Sequence, residues 1–282
     1  MPEHSILLST GQLSLGLSRC GPISPHRTEE EIESQFILVF PLAGVFGVDW
    51  EGWGTSATPS KAIMFSMGQT RRVDHPHGGH DRSAFISMDP QFAEAFLNGS
   101  GEFRVAAANT SPGLDYRLRR LIAAARIGCV SSLEVEEFTT GAMEELTRGD
   151  AVAPPDARRA VISEAETYLS VHFRESCDLS TLARAVGYSP HHLSRLFKQV
   201  TGETVSRRRT RLRLASAISE ILDGADDLSR VAVDSGFYDH SHMTVAFRSH
   251  LGIRPNEVRS SAKSDFSSSR QVSRAGPIGS QR

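Results

Sequence analysis

Four polar side chains, His191, Ser194, Arg195 and Lys198, recur at intervals that a helix gathers on one face. Between them Leu193, Leu196, Phe197 and Val200 are apolar at i, i+3, i+4 and i+7 and fall on the opposite face. Just upstream, Gly187 can turn out of a helix with positive φ, Ser189 is a good N-cap, and Pro190 suits the first helical position. Leu182 and Val186 give a shorter preceding helix its own apolar face. A short helix, a turn, and a second helix with one face clamped and the other rich in hydrogen-bond donors is the layout of a helix-turn-helix. A guanidinium such as that of Arg195 can meet guanine O6 and N7 together. The competing reading is an ordinary helical hairpin with a solvated charged face.

The pattern is written twice. Leu179-Ser180, Leu182-Ala183, Gly187-Tyr188, Leu193, Arg195, Phe197-Lys198 and Gly202 return as Leu228-Ser229, Val231-Ala232, Gly236-Phe237, Met243, Val245, Phe247-Arg248 and Gly252. The offset is 49 residues up to the aromatic and 50 beyond it, so one residue is inserted between. A repeat of this length marks a duplicated supersecondary unit. In the second copy Asp239 is the expected N-cap. His240, Ser241 and Thr244 face outward, Met243 and Phe247 inward, and Arg248 stands where the first copy has Lys198. A connecting helix is expected from Thr204 to Asp223. Arg207, Arg208, Arg209, Arg211 and Arg213 lie in its first turns, where they either neutralise phosphates or face water.

The string Ser189…Leu193-Ser194-Arg195-Leu196-Phe197-Lys198…Gly202, then Arg211-Leu212-Arg213…Ala217, then Gly236-Phe237…Asp239…Ser241-His242…Phe247-Arg248…Gly252…Pro255…Arg259 resembles the DNA-binding domain of the AraC/XylS family of bacterial transcription regulators. The resemblance covers roughly Arg158 to Lys263. It implies two helix-turn-helix units joined by a long helix, each placing a recognition helix in the major groove on one face of DNA. Carried over by motif position, His191, Ser194 and Arg195 would contact base edges and Lys198 a phosphate, while Arg211 and Leu212 would seat the two halves. It further implies promoter DNA as partner, RNA polymerase if the protein activates, a small-molecule effector and a homodimer; the location expected, from the cysteine usage, is the reducing cytoplasm. Departures gather in the second copy. Val245 stands where the first copy has Arg, and Met243 replaces the usual Phe. Arg208 sits where an aromatic is common, and Val258 where Tyr is common. The second helix is therefore expected to position the protein more than it reads bases.

The chain of 282 residues has a net charge of −2, which hides an asymmetry. Residues 151–282 hold 19 Lys and Arg against 14 Asp and Glu, leaving 12 against 19 in the remainder. A basic part beside an acidic part suits a nucleic-acid module fused to something else. Cys20, Cys129 and Cys177 lie far apart without ligand spacing, as idle or buried thiols of a reducing compartment would, or one redox-sensing thiol. No leader and no membrane-spanning apolar run is read. Neither a GxSxG, a phosphate-cradling glycine loop nor a HExxH helix occurs, so an enzyme is not expected.

The expected fold class is α+β. Short β-branched and aromatic runs before residue 97, among them Gln35–Phe40 ending at Pro41, suggest a small sandwich or barrel. The family resemblance implies a cupin-like β-barrel or jelly roll. Two amphipathic helices, Leu114–Ile127 and one around Val135–Leu146, either pack on that sheet or form a dimer seam. The expected division is a sensor or dimerisation domain over 1–148, a Pro-rich linker over 149–157, the DNA-binding domain over 158–263 and a Ser-rich tail over 264–282. His75, His77, His80 and Asp81 could ligate a divalent metal. Pro76 and Gly78-Gly79 point instead to a turn or a ligand-pocket rim, so no metal and no cofactor is expected. The alternative function is a cupin-type metal or small-molecule binding protein with a secondary DNA module.

Overall fold

A computed structural model describes residues 3–21, 25–50, 53–75, 80–148 and 156–263. Residues 149–155 of the expected linker, the expected tail, and His77 within residues 76–79 lie outside the described residues. The strands are β1 (Glu3–Ser9), β2 (Leu13–Arg19), β3 (His26–Arg27), β4 (Glu31–Ile32), β5 (Phe36–Ala43), β6 (Phe46–Trp50), β7 (Trp53–Ala57), β8 (Lys61–Phe65), β9 (Thr70–His75), β10 (Arg82–Met88) and β11 (Ala107–Asn109). The helices are α1 (Pro90–Ala93), α2 (Pro112–Arg126), α3 (Ser132–Arg148), α4 (Ala157–His172), α5 (Leu179–Ala185), α6 (Pro190–Thr201), α7 (Val205–Leu222), α8 (Leu228–Asp234) and α9 (His240–Leu251).

The strands make two antiparallel sheets, ordered β1-β2-β10-β5-β8-β11 and β3-β9-β6-β7, with β4 also paired to β9. No closed barrel forms among the described residues. Alternation sorts the side chains of the larger sheet. Leu38, Phe40, Ala84, Ile86 and Met64 face α2 and α3, where they meet Leu114, Leu118, Val135 and Met143. Val39, Ile63 and Phe65 point the other way and meet Phe46, Val48 and Trp50 of the smaller sheet. Around β5 and β8 the larger sheet is thus covered on both faces, which is why β8 is buried along its whole length. The two amphipathic helices spend their apolar stripes on this sheet. β5 does not stop at Pro41. It runs to Ala43 because the register slips there, Ser83 facing Pro41 and Arg82 facing Ala43. Such a bulge lets a strand carry a proline that cannot donate to a ladder.

In the C-terminal part α7 serves two cores. Leu212 joins Ile162, Leu169, Leu182, Leu193 and Phe197 in one. Leu214, Ile218 and Ile221 join Val231, Phe237, Met243, Phe247 and Val258 in the other.

A buried ion network ties α7 to the strand region. Glu166 of α4 pairs with Lys61 of β8 at 2.6 Å and with Arg208 at 3.0 Å. Arg208 also meets Glu203 at 2.5 Å. Arg211 meets Glu203 at 3.2 Å and Asp115 of α2 at 3.3 Å, and donates to the Thr110 carbonyl. Burial by itself would push the Glu166 carboxyl up; the charges of Lys61 and Arg208 outweigh it and hold it below the ordinary value. Its contribution to stability is therefore full above about pH 4.5 and is lost as pH falls through the lowered folded value. Glu166→Gln removes that contribution, leaves buried Lys61 without an ion pair among the described residues and leaves Arg208 with Glu203 alone. It should cost about 3–5 kcal/mol by urea denaturation at neutral pH. The cost should shrink on acidification below about pH 4, as the wild type loses its own carboxylate.

Candidate nucleic-acid interface

The two helix-turn-helix units are α5-α6 and α8-α9, and their local stereochemistry is shared. Ser189 accepts from the His192 N–H at 3.3 Å, and Asp239 from the His242 N–H at 2.7 Å. Each side chain so satisfies one orphan donor of the helix start. Gly202 and Gly252 close the two helices at φ 76° and 72°, left-handed conformations that glycine adopts without strain. A histidine one turn into each helix lies against the turn's aromatic ring: His192 on Tyr188 at 5.2 Å, His242 on Phe237 at 5.5 Å.

Exposure repeats residue for residue. From 191 to 200 and from 241 to 250 the sequence of exposed, half-buried and buried positions is identical. Leu193, Leu196 and Phe197 are buried in α6, and Met243, Ala246 and Phe247 in α9. The outer face of α6 presents His191, Arg195 and Lys198, with Ser194 half-buried. That of α9 presents Ser241, Val245 and Arg248, with His240 and Thr244 half-buried; the Thr244 hydroxyl donates to the His240 carbonyl at 2.9 Å. Arg195, Lys198, Arg207 and Arg248 enter no ion pair among the described residues, so their charge is free for an external anion.

The arginine run at the start of α7 divides three ways. Arg207 is exposed. Arg209 donates to the Cys177 carbonyl. Arg208 was expected at DNA, yet it is only 1% exposed and its charge is spent on Glu166 and Glu203. About one helical turn separates Arg208 from Arg211, so both lie on the face that meets the N-terminal part. There Arg208 donates to the Asn109 side chain at 3.3 Å and Arg211 pairs with Asp115. Arg213 ties α7 to the segment after α4, donating to the carbonyls of Phe173 at 2.7 Å and Glu175 at 3.2 Å.

Sequence reasoning passed over Tyr238. The caps Ser189 and Asp239 match at an offset of 50 and the aromatics Tyr188 and Phe237 at 49, so Tyr238 is the inserted residue. Its ring is 87% exposed beside the start of α9. The break in the repeat was the available signal.

A second feature touches both parts of the chain. A cavity of about 500 Å³ lies between the end of the larger sheet, α2 and the end of α7. Arg119 lines it, donating to the Leu42 carbonyl at 3.0 Å and to the Ser219 hydroxyl on α7. Burial, helped by nearby Arg82 and opposed by Asp115 and Asp223, lowers this guanidinium to about 10.

Residues 182–261 match the family model described as a helix-turn-helix domain. The transcriptional activator RhaS of Escherichia fergusonii is 34% identical over 92 residues, 33% of each chain. The transcriptional regulator YisR of Bacillus subtilis is 29% identical over 110 residues, 39% of this chain and 38% of that one. The chain thus spans between a third and two-fifths of the length of these curated relatives. The crystal structure of fatty-acid-bound ToxT from Vibrio cholerae aligns over 88% of this chain and 95% of that one, at 10% identity and a TM-score of 0.38, a likeness too slight to bear on function.

The two turn glycines carry different burdens. A Cβ on Gly187 (φ 71°) would meet open space, whereas one on Gly236 (φ 84°) would stand 2.6 Å from the Arg174 Cα. Gly187→Ala should cost about 1–2 kcal/mol, the left-handed penalty alone. Gly236→Ala should cost clearly more by urea denaturation, since backbone must move as well.

Proposed function

We propose that this chain, which carries an AraC/XylS-type DNA-binding domain, is a sequence-specific transcription regulator that grips one side of promoter DNA with α6 and α9. The observation that carries this reading is the repeated exposure pattern: two helices, equally clamped, each with an outward polar face. Set about one DNA turn apart, they enter successive major grooves. Arg195 reads guanine, His191 and Ser194 support it, and Lys198, Arg207 and Arg248 meet phosphates. On α9, His240, Ser241 and Thr244 flank Val245, whose methyls suit a thymine methyl and cannot donate. The second helix therefore anchors more than it discriminates. Tyr238 adds a flat apolar contact to the sugar-phosphate wall.

The N-terminal domain answers to a small-molecule effector. Support comes from the cavity lined by both parts of the chain and from the ion network that makes α7 a neighbour of β8 and α2. The protein works in the cytoplasm as a homodimer and, where it activates, contacts RNA polymerase; it has no catalytic role. No helix among the described residues is long and apolar enough to cross a membrane.

Binding assays on promoter fragments selected by the wild-type protein test the reading. Arg195→Ala should lose about 1–3 kcal/mol of discrimination between cognate and mismatched sites, and Val245→Ala very little. Equal losses would sink the asymmetry between the helices. Arg207→Ala should flatten the dependence of log affinity on log salt by up to about 0.9. Arg208→Lys should leave that slope unchanged while lowering the denaturation midpoint.

A further inference from the structure

Cys20, His75 and Asp81 lie far apart in sequence and together in the fold. Cys20 follows β2, His75 ends β9, and Asp81 precedes β10. They are 4%, 6% and 7% exposed. The Cys20 sulfur stands 3.8 Å from His75 Nε2, and His75 Nδ1–H donates to Asp81 Oδ1 at 2.9 Å. One donor atom from each residue lies within 4.8 Å of the others.

Backbone geometry holds the three in place. The Cys20 N–H donates to the Asp81 carbonyl at 3.0 Å, and the His80 N–H returns to the Cys20 carbonyl at 3.1 Å. His80 takes a left-handed φ of 67°, a conformation a non-glycine residue adopts at a cost. Gly44 lets the β5-β6 turn come so close that a Cβ there would stand 2.7 Å from the Asp81 Cα. His26 stacks on His75 at 4.9 Å.

The charges are incomplete. Asp81 is a buried carboxylate with no Lys or Arg ion pair among the described residues; its one ion-pair partner there is His75. A buried carboxylate without a Lys or Arg partner, beside an imidazole and a thiol, is a donor set that a metal ion can complete.

We propose that Cys20, His75 and Asp81 bind zinc(II), with water in the fourth position. Sulfur and nitrogen donors select zinc over magnesium or calcium. Two ligands of one tetrahedral zinc stand roughly 3.3–3.7 Å apart, so binding needs the donors to close in from within 4.8 Å and the His75–Asp81 hydrogen bond to break as Asp81 turns to the ion. On binding, the Cys20 S–H bond breaks, the Zn–S bond forms, and the proton leaves to solvent. The ion then staples the ends of β2 and β10 in the larger sheet to β9 in the smaller one. This set is not the grouping of neighbouring histidines that the sequence offered. It keeps His75 and Asp81 and takes its sulfur from a residue 55 positions away.

The test uses the untagged full chain, with cobalt(II) as a spectroscopic stand-in and zinc for metal analysis. The expected result is about one ion per chain, an intense thiolate-to-cobalt band, and a zinc-dependent rise in Tm that a chelator reverses. The band should vanish in Cys20→Ser and persist in Cys129→Ser and Cys177→Ser. Asp81→Asn, a milder change, should fold and weaken cobalt affinity at least tenfold. A wild-type protein without the band, or a band that survives Cys20→Ser, overturns the proposal. Neither result bears on DNA binding.

Discussion

Six charges largely withdrawn from water set the terms for this molecule. Lys61, Arg208 and Arg211 face Glu166, Glu203 and Asp115, three of each sign, so the group as a whole is neutral. Stripping water from any one of these groups costs several kcal/mol, and only a complete set of partners returns it. The arrangement therefore tolerates little partial occupancy. If α7 shifts relative to β8 or α2, buried charges lose partners together rather than one at a time. Oil-like contacts across the same surface would slide; these do not.

That stiffness falls on the one helix both helix-turn-helix units share. α7 supplies Leu212 to one core and Leu214, Ile218 and Ile221 to the other. Both recognition helices are thus indexed to a single rod, and the rod is indexed to the sheets. Arg119 and Arg126 repeat the tie at the far end of α7, through Ser219 and through Asp223 at 2.6 Å. Fastened at both ends, α7 is placed to carry strain from the cavity beside it to either helix-turn-helix unit.

Much of this was legible because the relevant signals are local. Caps, turn glycines and apolar spacing act over a few residues, so Ser189, Asp239, Gly187 and Gly236 gave the units their outline. The antiparallel strands were legible in type but not in closure, since whether a sheet seals into a barrel depends on pairings far apart in sequence. Pro41 misled for a related reason: a bulge is set by the partner strand. Arg208 misled because an arginine among arginines looks like surface, and only Glu166, 42 positions upstream, and Glu203 reveal it as core. The same residue marked itself as odd, standing where an aromatic is usual in the resembled family. An ion cluster here fills the space a ring would otherwise take.

The charge cluster also bears on how this protein is best handled. Cut away the first 148 residues, and Lys61 and Asp115 go with them. Arg208 and Arg211 then meet solvent still paired with Glu166 and Glu203, two charges of each sign, so the uncovered flank is polar but neutral. Such a fragment trades a dry, rigid ion network for a solvated one, and its long helix loses the anchor that holds it in the parent.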